Sequence, residues 1–114
     1  MPSKTTMTTP GNALNNEIQA ILKETGKVSI MWRQNSRRLK LGGHLYQFGY
    51  PGCADNCGMF IGGRHFQFEG KAGNDRPSQA QIDNIAQINR DGGLAAIIGS
   101  GMELRALLKE EGYL

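Results

Sequence analysis

The stretch that most constrains the fold is Arg64-His65-Phe66-Gln67-Phe68-Glu69-Gly70-Lys71, in which polar and large apolar residues alternate. A period of two marks a strand with one buried face. Gly62-Gly63, just before it, reads as a tight hairpin turn, and Gly58–Ile61 as the partner strand. After it, Ser78 to Arg90 carries a helical repeat through Ile82, Ile85 and Ile88, and Asp91-Gly92-Gly93 stops the helix. Leu94 to Ile98 is then a continuous apolar run, as expected of a strand covered on both faces. A strand reached through a helical crossover runs parallel to its neighbour. A hairpin followed by such a crossover gives a mixed central sheet flanked by helices, and the class is α/β.

The rest of the chain fits that frame. Residues 1–11, rich in Thr with Pro2, Pro10 and Gly11, read as a flexible tail. A helix is expected from Asn12 to Thr25, ended by Gly26, with Leu14, Ile18, Ile21 and Leu22 as its apolar stripe. Glu17 falls at the edge of that stripe, where a carboxylate can reach inward at the rim of the core. Lys27 to Gln34 reads as a strand through Val28, Ile30 and Trp32. Asn35 to Pro51 is a long, basic, glycine-containing connection with a candidate hairpin at Gly42-Gly43. Met102 to Glu110 is the last helix. The order is α-β-β-β-α-β-α. At 114 residues the chain is one domain, spanning 12–114 after the tail.

Net charge is only +3, yet no acidic residue lies between Glu24 and Asp55, an interval that carries Lys27, Arg33, Arg37, Arg38 and Lys40. Such a segment suits a polyanion, since each neutralised phosphate releases condensed counterions; a solvated basic loop is the plainer explanation. No apolar run approaches the roughly 20 residues of a membrane span, and the start carries no signal-peptide pattern. The expectation is a soluble cytoplasmic protein without membrane partners. No phosphate-cradling GxxxxGK[ST] and no Ser/His/Asp triad is evident. Cys53 and Cys57 flank Asp55. With His44 and His65 they make a conceivable zinc set, but without the paired spacings of such sites; small fillers beside a tight turn is the simpler role.

Chemistry is concentrated elsewhere. Glu69 and Lys71, two apart on a strand, project to one face. Asp55, arriving from the neighbouring strand, would complete a pocket of two carboxylates and one ammonium. Such a pocket can hold a divalent metal and position water against a phosphodiester. Each residue has a duller explanation. Asp55 lies in Gly-Cys-Ala-Asp-Asn-Cys-Gly, where Asp commonly stabilises turns. Glu69 and Lys71 fit a solvated strand face, and Glu17 a helix surface. Ser78-x-x-Gln81 is a capping box, which competes with a site role for Gln81.

Taken together, Glu17, Gly52-Cys53-Ala54-Asp55, Glu69-Gly70-Lys71, Ser78-Gln79-Ala80-Gln81 and Gly92-Gly93 follow one another in an order that resembles the PD-(D/E)xK nuclease core. Within it the chain is most similar to the virus-type replication-repair nuclease (VRR-NUC) domain. Arg33-Gln34-Asn35 is similar to the family's Arg-x-Asn after the first strand. Ala54 and Gly70 depart from the family's usual proline and apolar residue, and neither removes a ligand. The resemblance covers about residues 12–110. It implies a restriction-endonuclease-like core and a Mg²⁺- or Mn²⁺-dependent endonuclease acting on branched DNA, four-way junctions or flaps. By the same resemblance Asp55, Glu69 and the Gly70 carbonyl would bind metal, with Glu17 completing the acidic site. Lys71 would orient the water, and Gln81 would position Lys71 or the water. Arg33, Asn35, Arg37, Arg38 and Lys40 are the expected DNA contacts. Trp32 is expected either in the core or stacked on a base. Junction cutting implies a homodimer, with the last helix and Leu94–Ile98 as the first seam candidates. The single-domain form implies a viral or mobile-element origin. A DNA-binding module with the same fold but no cleavage is the alternative function.

Overall fold

The computed structural model describes residues 9–34 and 37–114, with backbone only over 37–40 and 45–48. Its elements are α1 (Pro10–Glu24), β1 (Val28–Arg33), β2 (Arg37–Leu41), β3 (His44–Phe48), β4 (Asn56–Phe60), β5 (His65–Gly70), α2 (Gln79–Arg90), β6 (Leu94–Ile98) and α3 (Gly101–Glu110). The first helix starts at Pro10 rather than Asn12, because Thr9 caps it by accepting the Asn12 N–H at 3.2 Å and proline suits the first helical position. Residues 1–8 of the expected tail lie outside the described residues.

The fold is α/β, built on a four-stranded mixed sheet in the order β1-β4-β5-β6. β1, β4 and β5 are antiparallel in sequence, and β5 and β6 run parallel across the α2 crossover, as the apolar run at 94–98 predicts. The long basic connection is not irregular. It contains a separate two-stranded sheet, β2–β3, with Leu41 opposite His44 across Gly42-Gly43. Both glycines have positive φ, 55° and 82°, as a two-residue hairpin turn requires.

One face of the main sheet carries the core. Leu14, Ile18, Ile21 and Leu22 of α1 and Leu104 and Leu108 of α3 pack on Phe60, Phe66, Phe68, Leu94 and Ile98. The three phenylalanines are fully buried, each worth roughly 2–3 kcal/mol of apolar transfer. Tyr113 closes this side by stacking on Phe60 with centroids 3.7 Å apart.

α2 lies over β5 and β6 on the other face. It buries no residue fully, and Ile82, expected to face inward, is exposed. Polar anchors hold it instead. Asn89 accepts the Ala95 N–H at 2.9 Å and donates to the Ala95 carbonyl at 2.8 Å, occupying part of the open edge of β6. Because α2 covers only β5 and β6, the edge strand β1 presents Ile30 and Trp32 outward; Trp32 is 43% exposed rather than core. Among the described residues no helix is long and apolar enough to cross a membrane.

Candidate active site

The antiparallel register sets Asn56 opposite Phe68, so Asp55, one residue before β4, and Glu69, near the end of β5, share one end of the sheet. The Asp55 N–H donates to Glu69 Oε1 at 3.1 Å, and the Asp55 carbonyl accepts the Gln34 N–H at 2.7 Å. These bonds fix the aspartate's backbone between β1 and β5. Lys71 lies on the Glu69 side, as the period of two requires, with Nζ 3.4 Å from Glu69 Oε2. Two carboxylates and one ammonium therefore meet at the sheet end.

The loop that delivers Asp55 depends on Gly52. Its φ is +85°, and a Cβ there would run into the carbonyl oxygen of Ala80 in the first turn of α2. Only glycine meets both conditions. The loop is thereby pressed against the helix start, three residues ahead of the aspartate.

The residue that reaches in from α1 is Asn15, not Glu17. Asn15 Nδ2 donates to Asp55 Oδ2 at 3.2 Å, while its Oδ1 accepts from Asn56 Nδ2 at 2.8 Å. Asn56 Nδ2 also donates to the Phe68 carbonyl at 3.1 Å. Asn15 is 4% exposed and Asn56 is fully buried. The sequence carried a signal for Asn15: it stands three before Ile18 and seven before Leu22, a polar residue on the apolar stripe. Glu17 is exposed, with its carboxylate against Gly101 at the start of α3. Among the described residues, no group of three or more His, Cys, Asp or Glu is gathered to hold a metal, which applies equally to Cys53, Cys57 and the two histidines.

Gly70 ends β5, and the space a side chain would fill there belongs to Asn15, Leu14 and Ile18. A glycine at 70 thus lets α1 approach the site. Gln81 is engaged at the start of α2, its Oε1 accepting the Ser78 N–H at 2.9 Å while Ser78 Oγ accepts the Gln81 N–H at 3.1 Å. The capping role is the one its contacts show.

Glu69 is 3% exposed. Burial pushes its carboxyl above the ordinary range, and the neighbouring Asp55 charge adds to that; Lys71 and the Asp55 N–H pull the other way. Beside it, the Cys53 and Cys57 sulfurs are 3.8 Å apart and both thiols are free. Burial, then Cys53, then the two carboxylates push the Cys57 thiol far up, so it stays protonated and unreactive.

Of the expected DNA contacts, Arg33 is half-buried on the α1 side of β1, opposite Asn56. Its Nε and Asn56 Oδ1 are buried polar atoms without a hydrogen-bond partner among the described residues. Arg37, Arg38 and Lys40 lie on β2, with their side chains outside the described residues; Asn35 lies outside them altogether. Comparison with protein-family models, with curated proteins and with solved structures found no match to this chain.

Proposed function

We propose that the chain is a divalent-metal-dependent endonuclease of the VRR-NUC type, cutting phosphodiester bonds in branched DNA on a restriction-endonuclease-like core. The observation that carries this reading is the meeting of Asp55, Glu69 and Lys71 at one sheet end, with Glu69 buried and its charge disfavoured. A carboxylate kept there against burial and a like charge has a use for a cation. The donor set is all oxygen, which suits Mg²⁺ or Mn²⁺ over zinc. A site of two carboxylates fits Mg²⁺ in particular, which keeps several waters and takes further oxygens from a phosphate.

Asp55 and Glu69 would hold the ion, with the Gly70 carbonyl at the end of β5 as a further donor. When bound, the ion would polarise the phosphate and acidify a water. The chain's own residues do the rest. The Asp55 N–H keeps Glu69 in one rotamer, and Asn15 does the same for the Asp55 carboxylate, so both are pre-arranged. Lys71 is long enough to hold the attacking water while its charge offsets that building on the phosphate oxygens as the P–O bond to the leaving strand breaks. Arg33 and the β2 cations grip backbone phosphates and read no sequence. Two opposed cuts in a junction need two copies of this single site, hence a homodimer.

A specific observation favours the rival, a DNA-binding module that does not cut: Glu17 lies exposed against the start of α3 and Gln81 is taken up by the helix cap, which thins the site. Metal dependence separates the two. End-labelled junction, flap and linear duplex DNA are incubated with Mg²⁺, Mn²⁺ or EDTA. The nuclease cuts branched substrates only with metal. Tight binding with every strand intact identifies the idle module.

A further inference from the structure

On the α2 face of the sheet, towards the His65 end of β5, a cavity of about 370 Å³ opens between β5, α2 and the loop before β4. That volume lies in the range of small-ligand pockets, roughly 300–1,000 Å³. We propose that this cavity is a nucleobase pocket, which receives one unstacked base of the DNA strand and prefers bases with an exocyclic amine. The inference rests on the reading of the chain as a DNA-binding protein and adds a subsite to it.

The lining decides the ligand class. Tyr50 and His65 offer rings, Ile88 an apolar surface, and Asn84 and Gln87 amides. Among the described residues the charged side chain of the lining is Asp91; behind it Arg90 donates to Gln87 Oε1 at 3.0 Å and Arg64 to the Gly93 carbonyl at 3.2 Å. Both guanidiniums are engaged with protein oxygens, and a phosphate or carboxylate entering the cavity would meet the Asp91 carboxylate at its rim, so an anionic group is disfavoured. A neutral, flat ligand with hydrogen-bonding edges fits: rings stack on its faces and amides meet its rim, which is how an extruded base is held.

The back wall is already ordered. Gln67, 3% exposed, donates through Nε2 to the Tyr50 hydroxyl at 2.7 Å. The same hydroxyl donates to Asn84 Oδ1 at 2.8 Å, and Asn84 Nδ2 donates to Gln67 Oε1 at 2.9 Å. His65 Nε2 sits 3.0 Å from Gln67 Nε2. This closed circuit sets the ring positions before a ligand arrives, which lowers the ordering cost of binding. At the rim, Asp91 Oδ2 accepts from Gln87 Nε2 at 2.9 Å. The carboxylate's remaining lone pairs suit an amino hydrogen such as that of cytosine N4. Thymine has no such donor.

Position ties the pocket to the carboxylates. His65, Gln67 and Glu69 lie on one face of β5, so His65 and Glu69 are roughly 13 Å apart along the strand. A single strand with one phosphate at Glu69 can place a neighbouring base at His65. Unpaired bases at a flap or junction cost little to extrude, which gives a physical basis for preferring branched DNA.

The test uses free nucleosides in EDTA, so no cleavage is involved. Cytidine, adenosine, guanosine and thymidine are titrated into ¹⁵N,¹³C-labelled protein, with inorganic phosphate as a separate titrant. The proposal expects shifts at the Ile88 methyls and the Tyr50 and His65 rings with the amine-bearing nucleosides. Asp91→Ala, a change at an exposed helix end, should weaken these by about tenfold relative to thymidine. Gln87→Trp, on the exposed rim, should block all four. Silence of the pocket toward every nucleoside, or a stronger response to phosphate than to any base, overturns it. Indifference of base preference to Asp91→Ala overturns the assigned amine contact. If junction DNA is still cut while the pocket stays silent, the nuclease reading survives and this one falls; shifts without any cutting give the reverse.

Discussion

At the end of β5, Glu69 holds a negative charge that its surroundings disfavour, since burial and Asp55 outweigh Lys71 and the Asp55 N–H. With its folded pKa raised, the neutral form is favoured in the native state. Its contribution to stability is therefore full below the unfolded value of about 4.3 and is lost as pH rises through the folded value. Glu69→Gln should accordingly raise the melting temperature of the metal-free protein at neutral pH, read by calorimetry. Cation binding runs the opposite way, because it needs the carboxylate. Mg²⁺ affinity of the wild type should climb with pH above about 4.3 and lose that dependence in Glu69→Gln. A pH-independent affinity would remove Glu69 from the ligand set. Residue identity was legible where geometry is local: two-residue spacing put Glu69 and Lys71 on one side. Asn15 and Asn56 were harder to see, because their roles come from α1 meeting β4 across some forty positions of chain.

Among the elements, the Gly52 loop is what couples α2 to Asp55, and a comparison of two glycines isolates it. Gly26 has φ +68° with open space around it, whereas Gly52 combines φ +85° with backbone contact to Ala80. Gly26→Ala should cost about 1 kcal/mol, the left-handed strain alone. Gly52→Ala adds overpacking against main chain, for a total of about 2–4 kcal/mol, measured by urea denaturation. Equal costs would show that the loop does not bear on α2. Element type was readable wherever periodicity was strong, as in β5, β6 and all three helices. The β2–β3 sheet was harder to place, because only the Gly42-Gly43 turn marks it within a run of mixed polar and apolar residues. Trp32, left open between core and surface by the sequence, lies exposed because β1 is an edge strand, which β-propensity does not reveal, and α2 stops at β5 and β6. Ile82 is exposed because α2 is anchored by Asn84 and Asn89 rather than by a continuous apolar face.

For the whole molecule, the α2 crossover fixes the design. It makes β6 parallel to β5, and the antiparallel β4 brings its leading aspartate back to the end where β5 finishes. The class and the sheet's mixed character followed from the hairpin and the buried run; the strand order β1-β4-β5-β6 and the two-sided division between α1/α3 and α2 did not, since single-sequence periodicity is blind to which face each helix covers. On the face of β5 turned away from α1 and α3, two polar regions follow one another along the strand, the amide circuit at Gln67 and the carboxylates at Glu69. Whether Lys71 and Glu69 act on a phosphodiester is read by single-turnover cleavage of a four-way junction in Mg²⁺ by wild type, Lys71→Ala and Glu69→Gln, with binding measured in parallel. Binding should be unchanged, with a rate loss of roughly 10²–10⁴ in each variant. Near-normal cutting by Lys71→Ala would contradict that role.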